Sequence, residues 1–327
     1  MRLRDRLVVV LIALAALVTP GFAQTTSVAP TPTATGGPTS VRIGGYVQLR
    51  ATTQAHQGLT VLIQRARVSL DSALPNHVST RVLVEFQSAT GARTPATVNL
   101  REAVVRWAPS TVSFAAGQFK TPFSREYLIP VSMLETADFS PVVDSLAPKY
   151  DLGVMAEYEP APWGKVSLGV FNGEGPNASV NRDSVSLWVA RVVARPFAPV
   201  SLGANLARDS ADSLRWGVEA ELQRWGGLLR GEYMRRHRRD RPADLEDRGW
   251  YLFGSARVVP AVSCFARHGD FQRPAIGVSR RVRESCIGVN WECVPDRVRL
   301  LASVVRRTSG ARQSDTRTWL AQLQVRF

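Results

Sequence analysis

Most of the chain alternates between apolar and polar residues, which is the pattern of β-strands that present one apolar face. From Val41 to Arg50 the odd positions are apolar or glycine, and the even positions include Arg42, Tyr46 and Arg50. About sixteen such segments follow one another, beginning near residues 41, 59, 78, 97, 111, 151, 166, 186, 200, 214, 227, 248, 261, 284, 297 and 316. The pattern therefore predicts an all-β fold built from many antiparallel strands.

The predicted connections alternate in length, which distinguishes a membrane barrel from other all-β folds. Connections from even to odd strands are short, as at Ala108–Ser110 and Trp225–Gly226. Connections from odd to even strands are mostly longer, at about Phe119–Tyr150, Asn172–Val185, Arg236–Arg248 and Gly269–Arg283. Short turns at one end and long loops at the other are typical of outer-membrane barrels.

Aromatic residues recur near the ends of the predicted strands, as the interfacial girdles of a membrane barrel require. They are Trp107, Tyr158, Trp163, Trp216, Trp225, Trp250, Tyr251, Trp291 and Trp319. The sequence ends at Phe327 within an amphipathic strand, which resembles the assembly signal of outer-membrane proteins. We therefore predict a transmembrane antiparallel β-barrel over residues 41–327.

The first forty residues carry a different signal. Three arginines within Met1–Arg6 precede an apolar run of about twelve residues, Leu7–Val18, and small residues precede a cleavage site after Ala23. This arrangement predicts a signal peptide at residues 1–23, since a membrane-spanning helix would need nearer twenty apolar residues. Residues 24–40 are rich in Thr, Pro and Gly without periodicity, and they predict a disordered periplasmic linker.

The charge is strongly positive and is carried by arginine. The formal net charge of +14 falls to about +12 when the three arginines and one aspartate of the signal peptide are removed. The lysines are Lys120, Lys149 and Lys165, and the other basic residues are arginines, whose donors match phosphate and carboxylate. Because the chain is exported, nucleic acid is excluded as a partner, which leaves small anions and lipopolysaccharide.

No residue pattern indicates a cofactor, a metal site or an enzyme. The four histidines are scattered, and Cys264, Cys286 and Cys293 show no metal-ligand spacing. The cysteines permit either one disulfide or three free thiols. An enzyme built on a barrel would need a nucleophile with an oriented base, and no G-x-S-x-G motif or Ser/His arrangement is visible.

Several segments resemble the phosphate-selective porin O/P family. The most specific is Gly117–Leu128 (GQFKTPFSREYL), followed by Glu135–Asp138. Val41–Arg50, Ile63–Leu70, Asp151–Val154 and Gly169–Gly175 also look like family segments. The resemblance implies a sixteen-stranded trimeric barrel that passes anions, in some members phosphate or polyphosphate. It also implies that the long third loop folds into the lumen, with a ladder of arginines above it and a lysine below.

Alternation assigns a set of basic side chains to the predicted lumen, where rings or ladders of Arg and Lys favour anions. By parity they are Arg42, Arg50, Arg65, Arg67, Arg81, Arg191, Arg257, Arg267 and Arg299, and Lys120 joins them at the exit of the fifth strand. Arg65, Arg67 and Lys120 lie in the segments that resemble the family. Each arginine could instead form an ion pair with a glutamate that faces the same lumen.

Other functions remain open on the sequence alone. The barrel could be a general non-selective porin, a plugged structural or adhesion barrel, or an outer-membrane enzyme, and a soluble β-sandwich would share the alternation. The basic run Arg235–Arg241 is expected at the outer end of the eleventh strand and in an external loop, either solvated or bound to lipopolysaccharide. Whether the loop at 119–150 plugs or narrows the pore is a question for the structure.

Overall fold

The computed structural model describes residues 39–55, 57–87, 96–182, 184–210, 213–240, 243–274, 280–310 and 314–327. The predicted signal peptide at 1–23 lies outside the described residues. So does the predicted linker at 24–40, apart from its last two residues, and the first strand begins at Ser40.

Sixteen strands account for most of the described chain. They are β1 (Ser40–Gln54), β2 (Thr60–Leu74), β3 (Val78–Gln87), β4 (Thr97–Trp107), β5 (Val112–Lys120), β6 (Tyr150–Ala161), β7 (Gly164–Phe171), β8 (Leu187–Phe197), β9 (Val200–Ser210), β10 (Ser213–Arg224), β11 (Gly227–Asp240), β12 (Ala243–Val259), β13 (Val262–Arg273), β14 (Arg280–Val294), β15 (Val298–Ser309) and β16 (Ser314–Arg326). Between β5 and β6 lie α1 (Arg125–Leu128), a 3₁₀ helix (Val131–Met133) and α2 (Pro141–Leu146).

Each strand pairs antiparallel with its neighbours in sequence, and β1 also pairs with β16, so the sheet closes into a barrel. The closing seam runs from Tyr46 opposite Arg326 to Gln54 opposite Thr318. Below it, the backbone N–H groups of Gly45 and Phe327 each donate to the carbonyl of the other residue at 3.1 Å. Closure leaves no sheet edge, and the predicted sixteen-stranded barrel is confirmed.

The two faces of the wall differ as the alternation predicts. Outward positions such as Ile43, Val61 and Leu206 are exposed apolar residues, whereas inward positions such as Gln48 and Glu219 are buried and polar. Most of the predicted girdle aromatics are exposed on the outer surface or at turns. Tyr251 is the exception, because it faces the lumen and is almost completely buried.

Two strands begin earlier than predicted, β12 at Ala243 rather than near 248 and β14 at Arg280 rather than near 284. As a result, most of the basic run Arg235–Arg241 is strand and not an external loop. β11 continues to Asp240, which pairs with Ala243. Ion pairs to β12 stabilise this extension, with Arg238 bound to Asp247 at 3.0 Å.

The connections from even to odd strands are tight turns, as predicted. Among the others, the segment of residues 121–149 between β5 and β6 is by far the longest, and we call it the inner loop. No disulfide joins the three cysteines, which are free. None of the helices among the described residues is long and apolar enough to cross a membrane.

Candidate functional site

The inner loop crosses the lumen and binds strands on several sides of the barrel. Its polar atoms contact Arg50 on β1, Asn205 on β9, Arg230 and Glu232 on β11, Arg267 on β13, Asn290 on β14, and Gln324 and Arg326 on β16. Thr121, Phe123, Ser124, Ser140, Val143 and Leu146 have no exposed surface at all. The loop therefore lies inside the barrel and divides its lumen.

Two buried arginines hold the middle of the loop. Arg50 donates to Asp138 Oδ2 and to the carbonyl of Ala137, each at 2.9 Å. Arg267 donates to Glu126 Oε1 at 2.9 Å and to the carbonyl of Asp138 at 2.8 Å, and it also reaches Glu284 Oε1 on β14 at 2.8 Å. Both guanidiniums are thus saturated by loop and wall groups.

The carboxylate of Asp138 is tuned by this contact. Burial raises the pKa of Asp138, but the charge and hydrogen bond of Arg50 and the charges of Arg65 and Arg267 together outweigh that effect, so the pKa lies below its ordinary value of 3.8. The carboxylate is charged at neutral pH, which keeps the ion pair with Arg50 intact.

A further arginine holds the loop on the opposite side. Arg230 donates to Glu135 Oε1 at 2.7 Å and to Glu221 Oε2 at 2.9 Å. Nearby, the amide of Asn290 donates to the carbonyl of Glu135 at 2.8 Å. Glu126, Glu135 and Asp138 of the loop are therefore each paired with an arginine of the wall.

Apolar packing closes one side of the lumen. Val142, Val143 and Leu146 of α2 are buried in one cluster with Met234, Tyr251, Phe253 and Phe271. α2 packs against β11, β12 and β13, which carry those four side chains. Removing this apolar surface from water stabilises the attachment of the loop to that wall.

An open space lies on the other side, between the inner loop and the wall around β1 to β6. This space, which we call the passage, has a volume of about 260 Å³. Its charged lining groups are Arg67, Arg81, Lys120, Arg326 and Glu102. Its other lining residues are Gly45, Tyr46, Ser69, Leu83, Leu128, Pro130, Val131, Ser132 and Tyr150. Basic groups therefore outnumber acidic ones in this lining.

Comparison with known proteins identifies the architecture. A profile of the family described as phosphate-selective porin O and P matches residues 42–208, just over half of the chain. The chain belongs to this family. It is a porin of the bacterial outer membrane, and the family resemblance of its sequence is confirmed. No curated protein matches it.

Solved structures share the fold of this porin at low identity. The outer-membrane channel DcaP of Acinetobacter baumannii has a TM-score of 0.70 and 14% identity, over 90% of this chain and 99% of that one. The anion-selective porin of Comamonas acidovorans gives 0.67 and 11%, over 89% and 100%. OmpT of Vibrio cholerae, folded in vitro and in its trimer form, gives 0.66 and 13%, over 89% and 100%. Identities this low show the fold alone.

One carboxylate organises the arginine cluster beside the passage of the porin. Glu85, fully buried on β3, accepts hydrogen bonds from Arg67 and from Arg101, the latter through Nε at 3.0 Å. Arg65 Nε lies 4.0 Å from the same carboxylate, and Arg65 Nη1 donates to Gln48 Oε1 at 3.2 Å. Three guanidiniums thus share one negative charge, and the cluster keeps an excess of positive charge.

Arg81 and Lys120 line the passage in different ways. Arg81 lies 3.1 Å from Glu102 and 3.3 Å from Asp71, but its side chain is still 44% exposed and reaches open space. Lys120 Nζ donates to the backbone carbonyls of Tyr127 and Ile129 at the start of the inner loop. Lys120 therefore also ties the loop to β5, as its place at the exit of that strand indicates.

The remaining predicted residues lie away from the passage. Arg191 pairs with Glu219 on the wall formed by β8 to β10. Arg299 is buried and reaches Gln324 Oε1 at 3.4 Å. Arg42 and Arg257 are exposed near the ends of their strands that carry the short turns. Arg50 and Arg267 of the wall are bound to the inner loop, so the ten predicted residues form no single ladder. Their part in permeation stays a prediction.

Several residues of the passage lining and of the arginine cluster on Glu85 were absent from the sequence prediction. Arg326 follows Gln324 in the same inward alternation, so parity alone could have included it. Arg101 is the extra residue of a bulge in β4 opposite Leu83 and Val84, where simple alternation fails. The apolar residues Leu128, Pro130 and Val131 belong to the loop, whose path no periodicity reveals.

Within the described ranges, no group of three or more His, Cys, Asp or Glu side chains is arranged to hold a metal ion. The charged groups that line the passage are guanidinium, ammonium and carboxylate groups. These groups act on a passing ion through charge and hydrogen bonds.

Proposed function

We propose that this porin lets small anions diffuse in preference to cations through the passage beside the inner loop. The observation that carries the proposal is the charge of the lining, in which Arg67, Arg81, Lys120 and Arg326 face a single carboxylate, Glu102. Inorganic phosphate and other small anions are the proposed permeants. The family match supports a channel and not an enzyme.

The contacts of the basic groups also fit a channel. A permeating ion must bind strongly enough to enter and weakly enough to leave. Arg81 shares its charge with Asp71 and Glu102, and Arg326 donates to the carbonyl of Ser132 at 2.6 Å. Each cation is thus partly satisfied in the empty passage, which limits how tightly it holds an anion.

The proposal is tested by the reversal potential of the purified porin in a planar bilayer across a KCl gradient. We expect chloride to be favoured over potassium. Arg81→Gln and Arg326→Gln should each lower the permeability ratio about sevenfold, because one positive charge about 7 Å from an ion in water favours an anion and disfavours a cation by about 0.6 kcal/mol each. Arg306→Gln, on the outward face of β15 and paired with Asp315 at 2.7 Å, is the matched control and should change nothing. A preference of the wild-type porin for potassium would contradict the proposal.

A second candidate is a plugged structural barrel, which the many bonds between the inner loop and the wall favour. The same recording separates the two, because a plugged barrel passes no stepwise current. A general non-selective porin would give a permeability ratio near one and no response to Arg81→Gln.

We also propose that the porin assembles as a homotrimer in the outer membrane, in contact with lipid and lipopolysaccharide. The trimer form of OmpT of Vibrio cholerae supports the assembly. Outward-facing arginines such as Arg281 and Arg306, both well exposed, support contact with anionic lipid groups.

A further inference from the structure

The lining of the passage combines two chemically different groups of residues. Arg67, Arg81, Lys120 and Arg326 are basic, whereas the other group, which we call the apolar face, consists of aliphatic side chains and two tyrosine rings. A hydrated inorganic ion makes no favourable contact with these apolar side chains. The division therefore bears on which anion the passage fits, a question that net charge alone does not answer.

The apolar face is built from both the wall and the loop. Leu83 on β3 is buried at 6% exposure, and Val131 on the 3₁₀ helix is buried at 7%. Leu128 and Pro130 border the same space from the loop. Their backbone is fixed by Lys120 and by the bond from Gln324 to the carbonyl of Ser132 at 2.9 Å, so this face is held in place.

The rings of Tyr46 and Tyr150 complete the apolar face. Both are buried and line the passage, at 8% and 5% exposure. The hydroxyl of Tyr46 has no hydrogen-bond partner among the described residues, and the guanidinium of Arg67 lies 5.9 Å from the centre of its ring. Aromatic rings of this kind pack favourably against the ring of a ligand.

We propose that the passage prefers anions that carry an apolar ring, namely aromatic monocarboxylates, over inorganic phosphate. This inference rests on the proposed anion preference and specifies its substrate class. A carboxylate can take two parallel hydrogen bonds from a guanidinium such as that of Arg81, while the attached ring covers Leu83 and Val131. A phosphate in the same place would leave oxygens against apolar side chains without partners, which is unfavourable.

The size of the passage sets an upper limit on the permeant. Its volume of about 260 Å³ lies just below the range of about 300–1,000 Å³ that accommodates drug-sized ligands. One ring with one carboxylate fits this limit. A chain of several phosphates would fill the passage with charges facing its apolar side.

The test measures how added anions reduce the chloride current of the wild-type porin at neutral pH. Benzoate is the probe, acetate supplies the same carboxylate without a ring, and inorganic phosphate supplies the competing chemistry. We expect benzoate to halve the current at a lower concentration than either acetate or phosphate. Equal potency of benzoate and acetate, or stronger block by phosphate, would overturn the inference.

A substitution in the apolar face tests whether these side chains cause the stronger block by benzoate. Val131→Thr keeps the shape of the side chain and replaces one methyl group by a hydroxyl, so it should weaken block by benzoate about fourfold. Block by acetate should stay the same. Val192→Thr makes the same change on the outward face of β8, where the side chain is 49% exposed, and should leave both unchanged.

The two proposals fail in different ways. A reversal potential that favours potassium would remove the proposed function and this inference together. A porin that favours chloride but is blocked no better by benzoate than by acetate keeps the proposed function and loses only the substrate class. Unchanged benzoate block in Val131→Thr would also overturn the inference, because the ring would then bind elsewhere.

Discussion

At the scale of the residue, Gly117 shows how tightly β5 fits against its neighbour. Its φ angle is +124°, in a region that side chains rarely adopt. A Cβ at this position would lie 2.0 Å from the carbonyl oxygen of Ala103 on β4. Gly117 stands three residues before Lys120, so the backbone geometry at Gly117 fixes the position at which Lys120 contacts the inner loop.

Gly117→Ala should therefore destabilise the barrel by about 2–5 kcal/mol, from backbone strain and a clash that the paired strands have little room to relieve. Gly254→Ala is the matched control, because a Cβ there meets no atom closer than 3.9 Å. The folded fraction in a urea titration, followed by heat-modifiable gel mobility, measures both variants. Equal stability of the two would show that β5 relaxes more easily than its geometry indicates.

At the scale of the element, the inner loop is held by ion pairs on one part of the wall and by apolar packing on another. Arg267 connects both, since it binds Glu126 of the loop and Glu284 of β14 beside the apolar cluster. All three side chains are almost completely buried. Removing one partner of such a group leaves buried charge without compensation.

Arg267→Met should weaken the attachment of the inner loop by about 3–5 kcal/mol, because Glu126 loses its guanidinium partner inside the barrel. A loosened loop widens the lumen, so single-channel conductance should rise and fluctuate. Arg306→Met removes an ion pair exposed on the outer face and should leave conductance unchanged. Wild-type conductance in Arg267→Met would mean that the apolar contacts of α2 hold the loop on their own.

At the scale of the whole molecule, the closed barrel holds the wall in place, and the inner loop divides the lumen that this wall encloses. The seam between β1 and β16 contributes Tyr46 and Arg326 to the passage, so the same contact that closes the sheet builds part of the site. The proposed trimer would then hold three separate passages, one in each chain.

Light scattering of the detergent-solubilised porin should accordingly give a protein mass about three times that of one chain, and conductance should close in three equal steps. Three steps are expected because each chain forms a complete barrel and would open and close separately. A single step together with the mass of one chain would contradict the trimer and leave the passage unaffected.

Sequence alone predicted the wall well because alternation is a local property. The predicted start of every strand except β12 and β14 lies within two residues of the observed one. In those two strands, charged residues such as Glu246 and Arg281 alternate beyond the apolar stretch, so hydrophobicity gives no sign that pairing continues.

The candidate site was only partly predictable for a different reason. Arg67, Arg81 and Lys120 were identified because parity or family resemblance assigned them inward. Arg50 and Arg267 were expected in the same ladder, yet they bind Asp138 and Glu126, which are 88 and 141 residues away in sequence. Such partners depend on the path of the inner loop, which is a tertiary property.

The three guanidiniums gathered on Glu85 have a consequence for how this porin could evolve. The net charge of this cluster depends on one acidic residue that three arginines share. Exchanging that acid for its amide would raise the positive charge beside the passage by one unit, but it would leave three guanidiniums inside the wall without their counter-charge. A lineage that strengthened its hold on anions by this route would therefore lose stability of the barrel in the same step.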